Sequence, residues 1–180
     1  MKVAFVRPEL KFLDEVSADA VVLGIFDGER PLRGLAGLID WRLNGLITSW
    51  LMDGRFAAQS GEMLLYPDRG RLSFERVVVV GLGRPESYDT ESFPVAARQL
   101  LRGARDIGAR RVAASLPGRH LVNWNPRQVM EAWLSAARDV FMSEPPQPIE
   151  VELLIVEDHE LQRTVSETVG MFVKRLYHRS

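Results

Sequence analysis

The segment Gly81-Leu82-Gly83-Arg84-Pro85-Glu86 follows the strongest strand signal of the chain, Phe74 to Val80. A glycine-rich exit from a strand is a common place for backbone N–H groups to hold phosphate. The dinucleotide pattern needs a third glycine at position 86, where Glu86 stands; its carboxylate would repel a pyrophosphate. Pro85 removes a further donor, and no GxxxxGK[ST] loop exists. Gly81 and Gly83 therefore read as a tight strand exit, and ADP-ribose is expected to bind weakly or not at all. The histidines, His120, His159 and His178, are scattered without HExxH or His/carboxylate spacing. Ser60 lies in Gln59-Ser60-Gly61, which is not a GxSxG elbow. No catalytic residue, metal ligand or cofactor is assigned.

Two other residue types invite a binding role. Arg98, Arg102 and Arg105 recur on one side of an expected helix, with Arg110 and Arg111 beyond. Such a stripe can follow a phosphate backbone. A net charge of −1 favours a solvated face instead, so nucleic acid is not the favoured partner. Of the four tryptophans, Trp50 and Trp133 fall on apolar stripes. Trp41 points away from its stripe and Trp124 sits in the loop Asn123-Trp124-Asn125-Pro126, which makes Trp41 and Trp124 candidate interface residues.

These residues need a scaffold, and the composition allows an ordinary one. With 180 residues, 46% apolar and 26% charged, the chain suits one domain over 1–180 with a full core. The absence of cysteine removes disulfides, thiolate metal sites and a cysteine nucleophile. No apolar run nears the roughly 18 residues of a membrane span, and the opening stretch is too short for a signal peptide. A cytoplasmic protein is expected.

Short β-rich runs alternate with helical ones, the mark of an α/β domain with a mostly parallel sheet. Strands are predicted at Lys2–Val6, Asp19–Phe26, Glu62–Tyr66, Phe74–Val80, Arg111–Leu116 and Val151–Val156. Leu35, Leu38, Ile39, Leu43, Leu46, Ile47, Trp50 and Leu51 share one stripe and predict a single long helix ending at Asp53-Gly54. Further helices are predicted from about Thr90 to Ile107, from Asn125-Pro126 through Phe141, and after Asp158. Glu144 to Pro148 reads as a stiff connector.

Taken as a set, these segments resemble the N-terminal domain of the leucyl aminopeptidase family, cytosolic two-metal exopeptidases. The resemblance rests on the apolar strand ending at Phe26 and the leucine-rich helix from Leu35. It continues through Asp53-Gly54-Arg55-Phe56 with Gly61, and Arg76-Val77 through Gly83. It implies a three-layer α/β/α fold, macro-domain-like, with a mixed, mostly parallel sheet. It also implies that the metal ligands and catalytic groups belong to a second domain marked by an NTDAEGR segment, absent here. The expected function is thus a non-catalytic interaction or regulatory module, assembling with itself or a protein partner. The alternatives are a small, nucleotide-like ligand held near Asp27, Gly28, Gly81, Gly83 and Arg84, or nucleic acid along the arginine stripe. Met1 and the polar end favour a free-standing relative over a fragment.

Overall fold

The computed structural model describes residues 1–143 and 149–177. The expected connector at Glu144 to Pro148, and His178, lie outside the described residues. Six strands form one sheet: β1 (Lys2–Val6), β2 (Ala18–Ile25), β3 (Met63–Pro67), β4 (Phe74–Gly81), β5 (Arg111–Ala114) and β6 (Glu152–Val156). Their order is β1-β6-β5-β2-β4-β3. Every neighbouring pair is parallel except β3 with β4, which makes β3 an antiparallel edge. The helices are α1 (Leu10–Glu15), α2 (Gly34–Arg42), α3 (Leu46–Met52), α4 (Ser92–Asp106), α5 (Pro126–Arg138) and α6 (His159–Tyr177).

The sheet is buried on both faces, which is why its central strands read as continuous apolar runs rather than alternating ones. In register, Val21 pairs with Val77 and Leu23 with Val79. These side chains, with Ile25, pack under α2 and α3. The intervening Ala20, Val22, Val78 and Val80 point the other way, onto α4, α5 and α6. The period of two thus divides one run of valines between two cores. The result is the three-layer α/β/α arrangement that the family resemblance implies.

The single long helix is instead two. Asn44 and Gly45 adopt φ of 57° and 76°, and the chain breaks between α2 and α3. Buried Asp40 stabilises the break by accepting from the N–H groups of Ile47 (2.7 Å) and Thr48 (3.1 Å) and from the Thr48 hydroxyl (2.6 Å). A carboxylate from the preceding helix so serves the start of α3, whose own N-cap, Gly45, has no side chain to do it. The start of α5 is as predicted. Asn125 and Gln128 exchange side-chain-to-backbone bonds of 3.0 Å each, with Pro126 at the first helical position. The short α1 was not expected: six residues with no side-chain cap leave little periodicity to read.

Candidate functional site

Parallel strands β2, β5 and β6 end at the same edge of the sheet, the usual ligand side of an α/β fold. The loops beyond them, together with Pro85 and Glu86, wall a cleft of about 830 Å³. That volume falls within the range of small-molecule sites. Its walls mix apolar surface, from Phe26, Leu116 and Pro117, with Arg30, Arg33 and Arg119.

One wall, the 115–121 loop, is fastened at two points. Phe26 and Tyr88 meet edge to face with centroids 5.0 Å apart, and the Tyr88 hydroxyl donates to the Pro117 carbonyl at 2.8 Å. Burial raises the Tyr88 pKa, so the hydroxyl keeps the proton it donates. Gly118 lies directly on this pair at φ +60°; a Cβ there would stand 2.6 Å from Tyr88 Cε1. The second fastening is buried Glu157, just past β6. Its carboxylate accepts the Leu116 N–H at 2.9 Å and the Arg119 Nε at 3.0 Å, while Arg119 Nη2 reaches Asp158 at 2.9 Å.

Burial pushes the Glu157 carboxyl pKa up, against the opposing pull of the Leu116 N–H and Arg119. A raised carboxylate pKa means that the folded state keeps its proton to higher pH than the unfolded chain. Stability from this group is therefore full below the ordinary glutamate value, about 4.3, and falls as pH rises through the folded pKa. Thermal melts of wild type and Glu157→Gln across a pH series are expected to show wild type losing ground to the variant as pH climbs. A difference that stays constant, or runs the other way, contradicts this.

The remaining wall is the start of α2. Its N-cap is Arg33, which offers no side-chain acceptor, and its first turn holds no acidic residue. Among the described residues, the N–H groups of Gly34, Leu35 and Ala36 accordingly have no protein acceptor, and all three residues line the cleft. The amides of Gly118, Arg119 and His120 across the cleft likewise have no acceptor among the described residues. Among the described residues, Arg30 and Arg33 make no ion pair, whereas Arg119 is engaged by its two acids. Free N–H groups at the positive end of a helix, beside unpaired guanidinium groups, suit an anion.

The structure places the candidate ligand residues in two different settings. Asp27 and Gly28 line the cleft; Gly81, Gly83 and Arg84 do not. The amides of Gly81, Leu82 and Gly83 donate to Glu62, Ile25 and Ala58 carbonyls at 2.8, 2.8 and 3.0 Å, so that loop has none left for phosphate. Arg84 stays at the rim, 4.0 Å from Asp27. Trp41 is 64% exposed, with the Arg42 guanidinium 5.3 Å from its ring. Trp124 is half-buried, edge-on to Phe93 at 5.9 Å. The arginine stripe does not form one exposed row, because Arg105 is buried. Arg30, Arg33, Gly34, Arg119 and Glu157 were not singled out from sequence. The one available signal was an apolar helix preceded by Arg33, where a capping Ser, Thr, Asp or Asn is usual.

Comparison with known proteins bears on this arrangement. The family model "Cytosol aminopeptidase family, N-terminal domain" matches residues 22–141. The chain belongs to this family. Among curated relatives, a probable cytosol aminopeptidase of Alkaliphilus oremlandii is 27% identical over 118 residues, covering 66% of this chain and 23% of that protein. The chain spans about a fifth of the length of the cytosol aminopeptidases it matches. A tomato leucine aminopeptidase variant superposes with a TM-score of 0.62 at 16% identity, over 96% of this chain and 36% of that one. A Trypanosoma brucei macrodomain in complex with ADP superposes with a TM-score of 0.69 at 18% identity, over 94% and 69% of the two chains. These superpositions establish the macrodomain-like fold of this cytosol aminopeptidase N-terminal domain. Among the described residues, no group of three or more His, Asp or Glu side chains could hold a metal ion. No described helix is long and apolar enough to cross a membrane.

Proposed function

We propose that this aminopeptidase-family domain is a binding module of the cytoplasm rather than a catalyst, and that its cleft receives a small, nucleotide-like anion. The carrying observation is the uncapped start of α2, with unoccupied amides at Gly34, Leu35 and Ala36 opening on an 830 Å³ cleft. An anionic group of the ligand would lie against these amides with Arg30 and Arg33 beside it, and Phe26, Leu116 and Pro117 would meet its apolar part. The likeness to a macrodomain solved with ADP supports this choice of ligand class. The expectation of weak ADP-ribose binding rests on the glycine loop at 81–86. The amides of Gly81, Leu82 and Gly83 are indeed engaged, and only Pro85 and Glu86 of that loop reach the cleft. The proposed cradle is instead the start of α2, on the side of Arg30 and Arg33, and it reverses that expectation. The test is a thermal-shift series with ADP, ADP-ribose and adenosine. Ligand at 100 times its Kd stabilises by about 2.7 kcal/mol, so the two diphosphates are expected to raise the melting temperature and adenosine to leave it unchanged. Equal shifts, or none, would overturn the reading.

A second reading, a module that docks a protein partner, draws on the exposed indole of Trp41. Pull-down by the separate catalytic region of a family member, lost in Trp41→Ala, would favour it.

A further inference from the structure

We infer that Asn44-Gly45, the turn between α2 and α3, is a self-modification site: Asn44 converts to aspartate and isoaspartate when the turn opens, and the bonds made by Asp40 set how often it opens. The chain holds three asparagines, each with a different neighbour. Asn125 precedes Pro126, whose nitrogen carries no hydrogen to give up. Asn123 precedes Trp124, whose bulk shields the peptide nitrogen. Asn44 alone precedes glycine, where no Cβ hinders the approach of that nitrogen to a side-chain carbonyl.

The reaction needs only water. The Gly45 nitrogen gives its proton to hydroxide and attacks Asn44 Cγ. The new C–N bond closes a succinimide ring, and the Asn44 amide nitrogen leaves as ammonia, taking a proton from water. A water molecule then opens the ring at either carbonyl. One opening gives aspartate, and the other gives isoaspartate, in which the main chain runs through the side-chain carbon.

The structure exposes one partner of this reaction and holds back the other. Asn44 is exposed, and its carboxamide makes no hydrogen bond among the described residues. The Gly45 N–H, by contrast, donates to the Asp40 carbonyl at 2.8 Å, and the Gly45 carbonyl accepts the Ser49 N–H at 2.9 Å. Asp40 thus holds the turn twice, with its carbonyl through Gly45 and with its carboxylate through Ile47 and Thr48. Conversion waits for a local opening that frees the Gly45 nitrogen. Its rate is then the intrinsic rate multiplied by the open fraction. The product alters the surface around Trp41. Trp41 and Asn44 line one hollow of about 600 Å³, so a carboxylate at position 44 brings negative charge beside the exposed indole and the Arg42 guanidinium.

Peptide mapping by mass spectrometry reads the amide-to-acid conversion at each asparagine, and methylation by an isoaspartyl methyltransferase reads the rearranged product. In mildly alkaline buffer, protein unfolded in urea is expected to convert at Asn44 ahead of Asn123 and Asn125. Folded wild type is expected to convert at Asn44 at least about tenfold more slowly than the unfolded chain. Folded Asp40→Ala is expected to lie between the two, several-fold faster than wild type. Thr48→Ala removes only the hydroxyl bond of 2.6 Å and is expected to convert faster than wild type but more slowly than Asp40→Ala. That milder variant keeps the comparison if Asp40→Ala fails to fold. Equal rates in folded and unfolded wild type, no preference for Asn44 in urea, or folded variants that convert no faster than wild type would overturn the inference.

Discussion

Gly81→Ala is expected to destabilise the fold by about 3 kcal/mol or more, among the largest effects of any single substitution here. A Cβ at position 81 would lie 2.1 Å from the Gln59 carbonyl oxygen and 2.5 Å from the Ala58 carbonyl carbon. Those are backbone atoms, so no side chain can swing aside. The 56–62 segment would have to lift away from β4. Phe56 and Ala58 would go with it, and both are almost wholly buried. The bonds from Gly61 to Gly81 and from Gly83 to Ala58, each 3.0 Å, would be lost as well. For a chain of this length the melting temperature should fall by about 6–12 °C. The loss is expected to be the same with and without ADP, since Gly81 lies away from the cleft. A variant that melts like wild type but no longer binds ligand would reverse this assignment.

Asp40→Ala is expected to cost about 3 kcal/mol, and Asp40→Asn about half of that. The substitution leaves the Ile47 and Thr48 amides and the Thr48 hydroxyl without their acceptor at a site where Asp40 is 8% exposed. Asparagine keeps one oxygen for the amides and loses the charge that the start of α3 favours. Chemical denaturation of the three proteins checks the order. Equal stability of wild type and Asp40→Ala would mean that α3 is held by its apolar contacts alone, through Ile47 and Trp50.

Both sites show where the sequence was legible. The runs around Val21 and Val77 predict buried strands because a sheet covered on both faces demands apolar residues at every position. The division of α2 from α3 was hidden by the very regularity of the leucines. Leu35, Ile39, Leu43, Ile47 and Trp50 all pack on the same sheet face across the break. Asn44-Gly45, a turn-favouring pair, was the contrary signal. Gly81 and Gly83 were readable as a tight exit from β4, and the structure supplies the reason in the approach of Ala58 and Gln59.

The cleft was largely invisible for a different reason. Its anion-facing atoms are backbone N–H groups at Gly34, Leu35 and Ala36, and two of those residues look like ordinary core from their side chains. Glu157 and Arg119 are 38 positions apart in sequence and meet only because β5 and β6 are adjacent. Asp27-Gly28 was legible because a turn at the end of a strand needs such residues.

The central claim, that the bare end of α2 is an anion site, is tested most directly by calorimetric titration of ADP into wild type and Arg33→Asp. An aspartate at the N-cap would occupy the free amides itself and add negative charge where the ligand's charge should lie. The account predicts saturable binding by wild type in the micromolar range and at least about tenfold weaker binding by Arg33→Asp, a loss of about 1.4 kcal/mol or more. The same substitution should leave the protein more stable by about 0.5–2 kcal/mol, so lost binding could not be blamed on lost folding. No heat of binding to wild type, or equal affinity in the two proteins, would contradict it.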